Sequence, residues 1–301
     1  MPAGATILER ARALAAAGER LSRPIAMLLS LALLLVVFRE ASSANWDMLR
    51  QGGHLGFAFW LALAAYYLLA PAAEWYLYSR LWRNDRLLLP ALLRKFVYNE
   101  LLLDYLGDVQ FVAWARSRFA ERRPLAGVKD VMILSALTGN VVTIVLIVLA
   151  WPLVRQGLAG VPLGTIFKSL AVVAVISTLI LAFSRRIFSH PCGTLWWMAA
   201  VLVGRAVLAT LLSAVLWHLL MPDLPLSGLF LLATLRMMVS RLPLVPSKDL
   251  LFAGLAVLVF GRSGDISGAT SMIASLMVAI HLFVGLVLVL TQFKPWAYRR
   301  S

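Results

Sequence analysis

Residues 96–114 read FVYNELLLDYLGDVQFVAW, a run apolar enough for lipid that nevertheless holds Glu100, Asp104 and Asp108. A second stretch, 226–260, is equally apolar and carries Arg236, Arg241, Leu242-Pro243, Pro246, Lys248 and Asp249 in its middle. Charges at membrane depth are costly, so they are rare and mark a pathway or a substrate site. Broken backbone at that depth survives only where protein or a water-filled cavity surrounds it. One interrupted segment in each half of a chain is the sequence pattern of a transporter binding site.

The surrounding composition sets the class. Of 301 residues, 61% are hydrophobic and 14% charged, with mean hydropathy +0.86. Soluble domains are closer to half apolar and a quarter charged, so this is a polytopic membrane protein, treated as one transmembrane domain over 1–301. The apolar runs are continuous rather than alternating, which predicts helices and not a barrel. Full spans are expected at about 24–40, 55–79, 129–150, 164–184, 195–220 and 268–291. Residues 1–24 carry four arginines and are expected to lie as an amphipathic segment on the cytoplasmic face, with no cleavable signal peptide. The membrane core then covers 25–291, and 292–301 forms a cytoplasmic tail.

The net charge of +14 does not indicate nucleic acid, because the basic residues sit in the gaps between apolar runs. There they set topology and contact anionic phospholipids. Segments 1–24, 79–95, 116–129, 185–186 and 292–301 together hold 19 Lys/Arg, against five in the opposite gaps. That bias predicts both termini in the cytoplasm of a bacterial inner (cytoplasmic) membrane. It also settles the odd segments. Both flanks of 96–114 are basic, so it should dip in from the cytoplasm and return. The ends of 226–260 are weakly charged, so it should dip in from the outer face. The expected fold is all-α, with about six full spans and two re-entrant elements entering from opposite faces.

Glu100, Asp104 and Asp108 are spaced i, i+4, i+8, which on a continuous helix makes one acidic stripe led by Asn99. Two readings stand: a re-entrant helix lining a polar cavity, or a surface helix with salt bridges to Arg94, Lys95 and Arg116. In the second segment Arg236 and Ser240 share a face and Arg241 follows. Pro243 and Pro246 forbid continuous helix, and Ser247 is placed to cap a new half-helix at Lys248-Asp249. That helix start, with Arg236, Arg241 and Lys248, suits a phosphate. The alternative is a ligand-free network in which Arg241 and Lys248 neutralise Asp249 and the acidic stripe. Arg205 is expected to pair internally, with a place along a pathway as the alternative, His281 to be a hydrogen-bonded packing residue, and Glu74 to do no more than neutralise Arg80. The tryptophans, among them Trp82 and Trp196, read as interfacial belt residues.

No enzyme constellation emerges. There is no GxSxG, HExxH or Walker loop. The lone Cys192 excludes an intrachain disulfide, and the four histidines lack ligand spacing, so no metal or cofactor is expected. Asp104 or Asp108 would serve as a base only if a nucleophile or metal accompanied it, and none is evident.

These two segments resemble the lysylphosphatidylglycerol synthase/flippase transmembrane-domain family, whose stand-alone members occur at envelope glycolipid and hopanoid loci. That family carries an asparagine, a Leu/Pro-rich turn, a Gly-Glu pair and a basic residue. Here Asn99, Leu106-Gly107-Asp108 and Arg116 correspond. A later Leu-Pro, a glycine-rich turn and an Arg-Glu pair are matched by Leu242-Pro243, Val245-Pro246-Ser247 and Lys248-Asp249. The departures are Asp108 for glutamate, Lys248-Asp249 for Arg-Glu, and a proline-containing turn for the glycine-rich one. The resemblance implies movement of a lipid or lipid-linked substrate between leaflets by a divergent member lacking the soluble aminoacyl-transfer domain. Asn99, Glu100, Asp104, Asp108, Arg236, Arg241, Lys248 and Asp249 would then bind an anionic head group. An envelope-lipid biosynthesis protein is a candidate partner under this reading. The alternatives are a membrane-embedded lipid or glycosyl transferase, and a non-catalytic scaffold of an envelope lipid or polysaccharide assembly complex.

Overall fold

The computed structural model describes residues 55–82, 85–102, 105–119, 124–157, 184–241, 248, 252–253, 255–256 and 264–293. The expected spans at 24–40 and 164–184, the segment 1–24, Asp104, Asp249 and the turn at 242–247 lie outside them. The described residues form helices and no strand: α1 (Phe57–Leu81), α2 (Leu88–Leu101), α3 (Leu106–Arg118), α4 (Pro124–Gly157), the single turn α5 (Ser184–Ile187), α6 (Cys192–Leu220), α7 (Leu226–Ser240) and α8 (Gly264–Phe293).

Four of these are long and apolar enough to cross a membrane: Phe57–Leu81, Pro124–Leu153, Cys192–Leu220 and Gly268–Leu290. By length and composition the chain is a membrane protein. Each long helix matches an expected span. At about 1.5 Å per residue even the shortest, of 23 residues, exceeds a hydrocarbon core of about 30 Å. Pro124 opens α4 where its missing N–H costs nothing. Inside α1, Pro71 cannot donate to the carbonyl one turn earlier, which loosens the helix in the middle of the protein.

Two buried clusters define the ends of the bundle. At the first end, Tyr78 and Trp82 at the end of α1 meet Leu88 and Leu92 of α2, Phe111 and Ala115 of α3, Val128 of α4 and Met198 of α6. At the second, Phe59 and Leu63 of α1 meet Trp217 near the end of α6, Leu229 of α7, Ala256, and Ile273 of α8. Thus α1 and α6 run antiparallel. Trp82, expected at the lipid interface, is instead 4% exposed, stacked on Tyr78 with ring centroids 4.6 Å apart. Trp196, at 73% exposed, keeps the interfacial position.

The 96–114 stretch is the end of α2, a turn and most of α3. Both outer ends of this helical pair sit in the first-end cluster, while the far end of α2 packs on Val278 and Leu282 of α8. The two helices of the pair therefore run antiparallel, with their outer ends together. The turn holds Tyr105 at φ 73°, in the left-handed region that side chains rarely adopt. This corrects the single acidic stripe: helix stops at Leu101 and restarts at Leu106, so Glu100 and Asp108 stand on different helices. Near the first end, Asp130 of α4 is fully buried and accepts bonds from the backbone N–H groups of Ser189 and His190. It also lies 2.7 Å from His190 Nδ1, which ties the start of α6 to α4.

Candidate functional site

A cavity of about 300 Å³ lined by both charged and apolar side chains lies between α1, α2, α6 and α7, and a more polar one of about 260 Å³ adjoins it toward α3 and α4. The two share Glu74, Lys95, Asn99, Ser240, Arg241 and Lys248, so they form one continuous interior. Glu74 lies seven residues before the end of α1, about 10 Å inward at helical rise, and Arg205 lies near the middle of α6. A charge at such depth costs about 2.5–3.5 kcal/mol on insertion scales, so each needs a partner, water or a ligand.

Lys95 is the hub. It is 5% exposed, with Nζ 2.7 Å from Glu74 Oε2 and 3.0 Å from Asp108 Oδ1. The sequence reading counted Lys95 among cytoplasmic flanking charges and assigned Glu74 to Arg80. The structure instead buries Lys95 and gives it Glu74. The reason is periodicity: Lys95 follows Leu88 and Leu92 along the face of α2 that enters the protein, which its neighbour Arg94 does not share.

Asn99 closes the helical pair. Its Nδ2 donates to Asp108 Oδ2 at 2.8 Å, and its Oδ1 accepts from the Gly107 N–H at 2.7 Å. Gly107 is where the two helices touch, because a Cβ there would overlap the Lys95 carbonyl and come within 2.8 Å of Asn99 Oδ1. We predict that Gly107→Ala pushes α3 off α2 at a cost of about 1–3 kcal/mol, as for other overpacked sites. A lowered melting temperature of the purified protein is the measurement.

Across the cavity stand three arginine cations. Arg205 Nη2 donates to Ser135 Oγ at 2.8 Å, while its approach to Glu74, 4.0 Å, is beyond hydrogen-bond reach. Arg236 lies over the Tyr66 ring at 4.9 Å. Arg241 donates from Nε and Nη2 to Ser240 Oγ, both at 3.1 Å, and among the described residues no carboxylate pairs with it. Its guanidinium lies against Gly139 of α4, where a Cβ would collide with Nη1.

The structure thus brings Asn99, Glu100, Arg236, Arg241 and Lys248 to the wall of the first cavity and Asp108 to the second. Glu74, Lys95 and Gly139 were missed as site residues, and Arg205 was given a pathway only as an alternative. Charge within an otherwise apolar span is the signal that pointed to Glu74 and Arg205, whereas nothing in the sequence marks Gly139. Tyr67 Oη lies 3.3 Å from His281 Nδ1, so His281 bonds internally as expected, although it also borders the cavity.

Compared with known proteins, the chain matches no protein-family model, and neither a curated protein nor a solved structure matches it.

Proposed function

We propose that this protein is a flippase-like membrane protein that moves a lipid or lipid-linked substrate with an anionic head group between leaflets. The observation that carries the reading is Arg241, a guanidinium on the wall of an interior cavity that no described carboxylate neutralises. Among the described residues, two of the acids that a cation could balance already have one. Lys95 takes both Glu74 and Asp108. A cation at membrane depth without a described carboxylate partner is expensive, and an anionic ligand would offset it. Acyl chains would stay in lipid while the head group crosses inside the protein.

The proposed topology follows the same logic. The α2–α3 pair enters from the cytoplasmic face and α7 from the outer face, each ending at the cavity, with both termini in the cytoplasm. Leu87 and Ser117 flank the pair and are exposed. In a Cys192→Ser background, Leu87→Cys and Ser117→Cys should both react with an impermeant thiol reagent from the cytoplasmic side only. Labelling from opposite sides would make the segment a crossing.

The test of function is a leaflet-resolved assay in proteoliposomes doped with fluorescent anionic and neutral phospholipids. Protein-dependent movement of the anionic lipid, lost in Arg241→Ala, is the expected result. Movement indifferent to head-group charge, or none, defeats the reading.

A further inference from the structure

Ser135 and Gly139 are one helical turn apart on the same face of α4, about 6 Å between their Cα atoms. Each receives a guanidinium from a different helix. Ser135 Oγ accepts from Arg205 of α6, and Gly139 leaves the space that Arg241, at the end of α7, occupies. Both guanidiniums line the first cavity. Like charges held together in a low-dielectric interior are stabilised by an anion between or beside them; among the described residues Glu74 comes only to 4.0 Å from Arg205 and is itself held by Lys95. Their donors are also only partly used. A guanidinium has five N–H donors. Arg205 directs one hydrogen bond to Ser135, while Arg241 spends its Nε edge on Ser240 and points Nη1 at the α4 wall.

We infer that Arg205 and Arg241, seated on Ser135 and Gly139, form a two-guanidinium site for a phosphate group, the head-group phosphate of the transported lipid. Two planar forks arriving from separate helices suit a tetrahedral oxyanion, which presents three or more acceptor oxygens out of one plane. A carboxylate offers two oxygens in a single plane and satisfies one fork. The site deepens the transport reading and rests on it for the source of the phosphate. It adds Arg205, Ser135 and Gly139, on two helices that sequence reasoning treated as plain spans. Gly139 acts as a positioning residue: it touches no ligand and decides where the Arg241 fork lies.

The experiment titrates the full-length protein, in nanodiscs of neutral phosphatidylcholine, with dioctanoyl phosphatidic acid and reads occupancy by native mass spectrometry. Dioctanoylglycerol and inorganic phosphate are separate arms. Wild type should bind the phosphatidic acid saturably, not bind the diacylglycerol, and lose the lipid only to a large excess of inorganic phosphate. Arg205→Gln and Gly139→Ala should each weaken phosphatidic acid by about tenfold or more, the loss expected for one charge-assisted hydrogen-bonding group. In an Arg241→Ala background, Gly139→Ala should have no further effect, because its only action is through Arg241. Should Gly139→Ala lower the melting temperature, Ser135→Ala, which removes an acceptor and adds no volume, repeats the test. Binding unchanged in Arg205→Gln, or a Gly139→Ala effect equally large without Arg241, overturns the site. Inorganic phosphate binding as tightly as the lipid overturns the lipid as the source. Equal binding of diacylglycerol removes the anion site altogether. Lipid movement by wild type with binding indifferent to these variants refutes the site alone. Sensitive binding without lipid movement refutes the transport reading alone.

Discussion

Arg241→Ala should lower anionic-lipid movement by about 10- to 100-fold, the effect of losing a charged hydrogen-bonding group worth roughly 1.5–3 kcal/mol. The protein should still accumulate, because among the described residues Arg241 bonds its neighbour Ser240 and bridges no carboxylate. Arg241→Lys should retain part of the function: the charge survives but the planar fork is gone. A double variant, Arg241→Gln with Asp108→Asn, distinguishes ligand from counter-charge. Asp108 already has Lys95 at 3.0 Å, so neutralising it should not restore what Arg241→Gln removes. Recovery of movement in the double variant would make Arg241 a structural counter-charge. Rates from the leaflet-resolved assay, normalised to reconstituted protein, are the measurement.

Lys95→Met should have the largest effect on stability. The substitution roughly keeps the volume and apolar stem but takes from Glu74 and Asp108 the cation they share, leaving Arg205, 4.0 Å from Glu74, to compensate in part. Their side chains are 15% and 8% exposed, so solvent relieves little of the cost. Breaking a buried pair in this way costs about 3–5 kcal/mol, enough to deplete the folded protein from membranes. Removing the carboxylates as well should reverse most of the loss. The triple variant Lys95→Met, Glu74→Gln, Asp108→Asn has no buried formal charge at the hub, and the side-chain amide it places at position 108 can still bond Asn99. Accumulation and melting temperature in detergent report both outcomes. A single variant as stable as wild type would mean that water, not Lys95, compensates the two acids.

These two variants separate the roles that charge plays in the interior. Lys95 holds α1, α2 and α3 together through Glu74 and Asp108, so it belongs to the framework. Arg241 and Arg205 face the same space with donors to spare. With Glu74 and Asp108 held by Lys95, the proposed anionic head group would meet Arg241 and Arg205 rather than these two acids.

The sequence alone determined the helical membrane class and the four described spans, because a continuous apolar run of about twenty residues has few other structures open to it. It also marked 96–114 as unable to cross as a simple span, because its charges are too dense for lipid, and it singled out Arg236, Arg241 and Lys248. What only the tertiary structure decided is which charges belong together. Glu74 and Lys95 are 21 residues apart, and Arg205 and Ser135 are 70 apart, on helices whose local patterns are ordinary. The register of α2 against α1 turns Lys95 inward, and the parallel course of α4 beside α6 brings Ser135 to Arg205. The acidic stripe failed for the same reason: i, i+4 spacing puts residues on one face only while the helix continues, and here the chain turns between Leu101 and Leu106. Gly139 was invisible in sequence because its role is an absence of side chain, which acquires meaning only once α7 delivers Arg241 against it.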